Sequence, residues 1–179
     1  QCIKHCSKLF GINLEKDDVY VWNFSDYISN IDGGAVPFEG TESFKLYQNI
    51  EMVKKVLDAN KVSYSIELWD STYETVPNPW KVIVIDNVIS LFFAKNDKLF
   101  KIIAWPNYEG ALPNGITTGM AMKEAKSLDD TLEYDDWNEV YLSKSEYWLE
   151  DDLDTKTVLS ISIYIPELLD DNTFDYCEW

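Results

Sequence analysis

From residue 158 onward, Leu159, Ile161, Ile163 and Ile165 alternate with Val158, Ser160, Ser162 and Tyr164. A period of two sustained over eight residues is the pattern of a β-strand with one apolar and one wetter face, and it commits the chain to a sheet whose apolar side must be covered. The residues before it supply the cover. Gly115-Ile116-Thr117-Thr118-Gly119-Met120 reads as the start of a helix of two to three turns ending near Asp129, with Thr117 or Thr118 placed to accept a bond from an orphan helix N–H. An acidic loop (Asp129, Asp130, Glu133, Asp135, Asp136) follows, then two aromatic-rich segments, 137–142 and 147–149, that read as hairpin strands. Residues 115–165 therefore form one helix-plus-sheet unit.

Sliding the sequence on itself by 68 residues lays Trp69, Tyr73 and Trp80 over Trp137, Tyr141 and Trp148. The same shift pairs Met52 with Met120, Lys55 with Lys123, Asp86 with Asp154 and Leu91 with Leu159. Matched tryptophan spacing points to a duplicated unit, and core packing is the reading for the four recurring tryptophans. The upstream copy has a helix over 49–60 with Ile50, Val53, Val56 and Leu57 on one stripe. A meander follows, with strands at 63–69, 80–85, 88–94 and 99–105 and tight turns at Asp86-Asn87 and Asn96-Asp97. Val19 to Phe24 and Ser43 to Tyr47 are further strand candidates, and Asp32-Gly33-Gly34 marks a turn. The fold class expected is α+β, two helix-plus-antiparallel-sheet units in tandem. The boundaries are 1–48 for N-terminal strands and loops, 49–105 for the first unit and 106–115 for the linker. The second unit covers 116–165 and an acidic tail 166–179, pinned by Phe174, Tyr176 and Trp179.

Asp and Glu outnumber Lys and Arg by 32 to 15, a net charge of −17, which repels phosphate backbones and anionic lipid and disfavours nucleic-acid and membrane-surface roles. A basic protein partner or cations are favoured instead. No stretch is long and apolar enough for a membrane helix. Because the chain starts at Gln1, a removed upstream segment, a signal or an anchor, is expected; Gln1 ahead of Cys2 argues against lipidation at that cysteine. The expected location is outside the cytoplasm, through such an anchor, with a cytoplasmic place also open. Cys2, Cys6 and Cys177 carry no metal-type spacing, and both a bridge from Cys177 to Cys2 or Cys6 and three free thiols stay open.

No catalytic signature is legible. His5 has no triad setting, and no phosphate loop or zinc motif exists. Glu150, Asp151, Asp152 and Asp154 could serve a carboxylate hydrolase or a calcium ion, but neither the paired-carboxyl cleft nor the calcium-loop pattern can be read from the residues. No catalytic, cofactor or metal residue is assigned, and no small-molecule substrate. The alternation 158–165 instead suggests a sheet bare on one side, with Ser160, Ser162 and Tyr164 offered to a partner and acidic loops at the rim. The partner-binding candidates are these three with Tyr141, Tyr147, Glu150 and Asp152.

The helix start at 115–120 with Glu124-Ala125 and the meander after it resembles the module of beta-lactamase inhibitor protein and of outer-membrane assembly lipoproteins of the BamE type. Residues 134–141, 147–151 and 160–163 look like small bacterial immunity proteins of the TipC-like group, which neutralise LXG toxins of type VII secretion. The resemblance covers about the last 65 residues. It implies a non-enzymatic inhibitor with a curved or saddle-shaped surface that binds one cognate protein toxin and occludes its active site, as in interbacterial antagonism. The alternative it leaves is an envelope assembly or adaptor protein of the BamE-like module type.

Overall fold

Ile50, Val53, Val56 and Leu57 recur at three-to-four spacing, and in the computed structural model they are the buried side of helix α1, Ile50–Ala59. The structure describes residues 34–69, 80–170, 173–174 and 179. Asn49 caps α1: its side chain accepts the Glu51 N–H at 2.9 Å, satisfying one of the orphan donors of the first turn. Each of the four buried aliphatic side chains is worth at most about 1.5–3 kcal/mol relative to exposure, which is what holds α1 on the sheet.

Before α1, a short hairpin joins β1 (Ala35–Val36) to β2 (Gly40–Thr41). After it come β3 (Ser65–Trp69), β4 (Trp80–Ile85), β5 (Ile89–Phe93) and β6 (Leu99–Ala104). The turns after β4 and β5 hold Asn87 and Asp97 at φ 56° and 61°, a left-handed conformation that Asn and Asp tolerate better than most side chains. Helix α2 is Met122–Leu128, followed by β7 (Glu133–Asp135), β8 (Val140–Leu142), β9 (Tyr147–Asp151) and β10 (Val158–Tyr164). A 3-10 turn, Pro166–Leu169, comes next.

Eight of these strands form one antiparallel sheet in the order β3-β4-β5-β6-β10-β9-β8-β7. The protein is thus a mixed α/β fold dominated by a single large sheet. Among the described residues, each of the two α-helices is followed by a four-stranded meander, and the last strands of the two meanders pair with each other, Ile161 opposite Ala104 and Ile163 opposite Ile102. A single apolar cluster runs through both halves, from Val53 and Phe93 to Ala125 and Ile163.

Several sequence expectations need correction. Neither Thr117 nor Thr118 caps α2: Ala121 is the cap residue and makes no side-chain cap bond, while Thr118 Oγ1 donates to the Tyr108 carbonyl at 3.1 Å. The first helical N–H, of Met122, is satisfied by the Lys156 carbonyl at 3.0 Å, so the β9–β10 turn does the capping. Gly115 and Gly119, at φ 89° and 77°, are turn residues. Ser43 to Tyr47 is not a strand; it makes only an isolated bridge, Gly40 to Lys45, and Tyr47 turns at φ 67°. Trp137 lies in the turn before β8, and the acidic stretch ahead of it contains β7. Val19 to Phe24, Asp32-Gly33, the three cysteines and Tyr176 lie outside the described residues.

The 68-residue shift holds from the helices, with Lys55 in α1 and Lys123 in α2, to the start of each meander and fails beyond it. Trp69 ends β3 and Trp137 follows β7, but Trp80 opens the second strand of its meander while Trp148 lies in the third of the other. The reason is loop length: residues 70–79 separate β3 from β4, whereas 136–139 close the β7–β8 turn.

Candidate functional site

β10 is buried on both sides. Ser160, Ser162 and Tyr164 are 0, 2 and 3 % exposed, which overturns the expectation that they face an incoming partner. The physical reason is aromatic cover on the side away from the helices. Trp148 packs on Tyr164 with ring centroids 4.6 Å apart, and Phe38 meets the same ring edge-on at 6.3 Å. Lys101 lays its ammonium 4.7 Å from the Trp148 ring. Burial pushes the Lys101 amine down to about 8, against the pull of Glu150, and pushes the Tyr164 hydroxyl up to about 12. Further along this face Phe174 stacks on Trp179 and touches Phe100, so the tail is pinned by these two aromatics.

The Ser160 hydroxyl has no hydrogen-bond partner among the described residues. An unpaired buried hydroxyl costs about 1–3 kcal/mol. Ser160→Ala is therefore expected to leave stability unchanged or raise it by about 1 kcal/mol, read as a higher urea midpoint with an unchanged slope. A loss of more than about 1 kcal/mol would show that Oγ has a partner.

Tyr147 is a core residue too, 1 % exposed. Its hydroxyl donates to Asp129 Oδ2 and accepts from Asn114 Nδ2 at 3.0 Å. Ser143 Oγ donates to the same oxygen and accepts the Ser145 N–H at 2.9 Å. Thr131 Oγ1 donates to Oδ1 at 2.6 Å and accepts the Lys144 N–H at 3.1 Å. Asp129 thus gathers three hydroxyls, each also held by an amide, and ties the end of α2 to the β8–β9 turn. Burial alone would raise its carboxyl pKa, but the bonds from Ser143, Thr131 and Tyr147 outweigh burial and hold it at about 2. The network is structural and explains why Tyr147 cannot be a contact residue.

The remaining candidates gather at one end of the sheet. Because β7 to β10 are successive antiparallel strands, the β7–β8 and β9–β10 turns emerge on the same side. Residues 135–139 and 150–156 bring Asp135, Asp136, Glu139, Glu150, Asp151, Asp152 and Asp154 there, against one basic residue, Lys156. Each turn is built by an aspartate. Asp135 Oδ1 accepts the Trp137 N–H at 2.9 Å, and its other oxygen takes Asn138 Nδ2 at 2.7 Å. Asp152 Oδ1 accepts the N–H groups of Asp154 and Thr155 at 2.8 and 2.9 Å. These bonds lower both carboxyl pKa values and keep the groups ionised. Asp152, expected at a contact, is thus also the residue that shapes its turn.

Out of this charged end project Trp137, 85 % exposed, and Leu153, 71 % exposed. The core reading of Trp137 is overturned: Asp135 folds a tight turn and leaves the indole outside it. On one face of the hairpin a groove of about 550 Å³ runs between Trp137 and Lys144 over Leu142, with Glu133 and Asp135 on its wall. On the other face Tyr134 packs against Tyr141, centroids 4.9 Å apart, and Lys126 places its ammonium 4.4 Å from the Tyr141 ring. Tyr141 is half-buried there. The Tyr134 hydroxyl is pushed up by partial desolvation and by the carboxylates of Glu139, Asp151, Asp136 and Asp135. Glu150, also half-buried, lies near Lys101.

Among the described residues no three His, Cys, Asp or Glu side chains are placed to hold one metal ion, and no helix is long and apolar enough to cross a membrane. Compared with known protein families, curated proteins and solved structures, the chain finds no match in any of the three.

Proposed function

We propose that this chain is an immunity protein, a non-enzymatic inhibitor that binds a basic bacterial toxin and covers its active site. The observation that carries the reading is Trp137. A fully projecting indole loses nothing by being truncated in the free protein but gains its whole apolar surface at an interface, where tryptophan is over-represented among the residues that dominate binding energy. Leu153 extends the apolar patch, and the surrounding carboxylates supply a field that draws in a cationic surface and speeds association. The contact surface therefore lies at the acidic end of the sheet, on the β7–β8 and β9–β10 turns, and β10 serves as its support.

In this reading the two helix-plus-meander runs are tandem copies related by a two-fold axis between β6 and β10, and the twist of so wide a sheet curves it into a saddle. The partner is a toxin that acts outside the cytoplasm, which is where fractionation should find this chain. Mixing the protein with candidate toxins from neighbouring genes and passing the mixture down a gel-filtration column tests the function. A co-eluting complex is expected at physiological salt. Separate elution from every candidate would refute the reading.

A further inference from the structure

The two edges of the sheet differ. β7 is three residues long and carries carboxylates at Glu133 and Asp135, the kind of charged, short strand that deters another strand from pairing. β3 is less protected, with a single carboxylate, Glu67, on a longer strand. It is five residues, Ser65–Trp69, with neither proline nor lysine, and it pairs β4 in unbroken register from Ser65 opposite Val84 to Trp69 opposite Trp80. All five of its residues are exposed, Leu68 at 67 % and Ile66 at 48 %. Among the described residues no strand pairs its outer side. Ile66 and Leu68 point to the helix side of the sheet. Glu67 and Trp69 share the other face, where Trp69 Nε1 donates to Glu67 Oε2 at 3.2 Å and the indole meets Phe92 edge-on at 5.2 Å.

We infer that the outer edge of β3 takes up an extended segment of a basic partner protein as a ninth strand. Backbone N–H and C=O groups along β3 supply the ladder bonds, and the side chains set the choice of segment. Apolar residues opposite Ile66 and Leu68 cover surface now in water, and a lysine or arginine opposite Glu67 meets its carboxylate. A second copy of this chain fits worse. Two molecules of charge −17 repel each other, and the antiparallel register centred on β3 sets Glu67 against Glu67. This surface lies at the sheet edge opposite the Trp137 hairpin, so it goes beyond the inhibitor reading and can stand or fall without it.

The probes are two capped peptides, one alternating lysine with valine and one alternating glutamate with valine. The readout is amide hydrogen exchange of residues 65–69 in the whole chain. The lysine–valine peptide is expected to slow exchange in β3, the glutamate–valine peptide to do so far less. Glu67→Lys, at an exposed position whose one side-chain bond is the surface contact from Trp69 Nε1, should weaken the lysine–valine peptide about fivefold and favour the other. Equal protection by both peptides, or protection by neither, would overturn the inference. Protection that appears without peptide and grows with protein concentration would overturn it in favour of a second copy.

Discussion

Asp129→Ala is expected to lower stability by about 4 kcal/mol, because the hydroxyls of Ser143 and Tyr147 lose their buried acceptor at about 1–3 kcal/mol each and Thr131 loses two bonds. That is a large part of the roughly 5–15 kcal/mol that keeps a domain folded, and it should bring the melting temperature down by about 10 °C. Asp129→Asn keeps the shape but turns one acceptor into a donor facing hydroxyl donors, so its loss should be comparable. The pH dependence has a definite sign. Asp129 has a carboxyl pKa depressed from 3.8 to about 2, so its stabilisation is fully present above about pH 4 and is lost as pH falls through about 2. At about 1.4 kcal/mol per unit this is worth about 2 kcal/mol. Urea midpoints between pH 7 and pH 2 should therefore fall in the native chain and fall less steeply in Asp129→Ala. Equal slopes would remove Asp129 from the acid response.

Trp137→Ala is expected to weaken toxin binding by about 2 kcal/mol or more, roughly thirtyfold, while stability stays within about 0.5 kcal/mol of the native value. The separation follows from its position: the indole makes no core contact to lose, and the turn is held by the Asp135 carboxylate and the Trp137 backbone N–H. Calorimetry gives the affinity and urea unfolding the stability. Affinity unchanged within a factor of two would place the contact elsewhere. Association should also slow as salt rises, since exposed carboxylates such as Asp136 and Glu139 act over a Debye length of about 8–10 Å.

Much of the sheet is legible in residue spacing. The α1 stripe of Ile50, Val53, Val56 and Leu57, the Asn87 and Asp97 turns and the span Trp80–Ile85 all follow from local chemistry. β7 was invisible because Glu133-Tyr134-Asp135 has no apolar alternation; its neighbour β8 recruits it. Residue alternation misplaces the contact site for a related reason. A Ser-Ile-Ser-Ile alternation looks the same whether the serines meet water or, as at Ser162 beside Trp148 and Tyr164, an aromatic layer. Small hydroxyls fit under bulky rings because they occupy little volume. Trp137 carried the opposite ambiguity, since tryptophan argues for core by composition alone. The deciding signal was its neighbour: an aspartate two residues earlier can accept the backbone N–H and form a tight turn, which exposes whatever side chain follows.

The most direct measurement is an inhibition titration of a toxin encoded beside this chain, with the toxin held at fixed concentration and its own activity as the readout. Activity is predicted to fall linearly to zero at one equivalent of this protein, and Trp137→Ala should turn that sharp endpoint into a shallow curve. Toxin activity that stays at its starting level through a large excess of the native chain would contradict the reading.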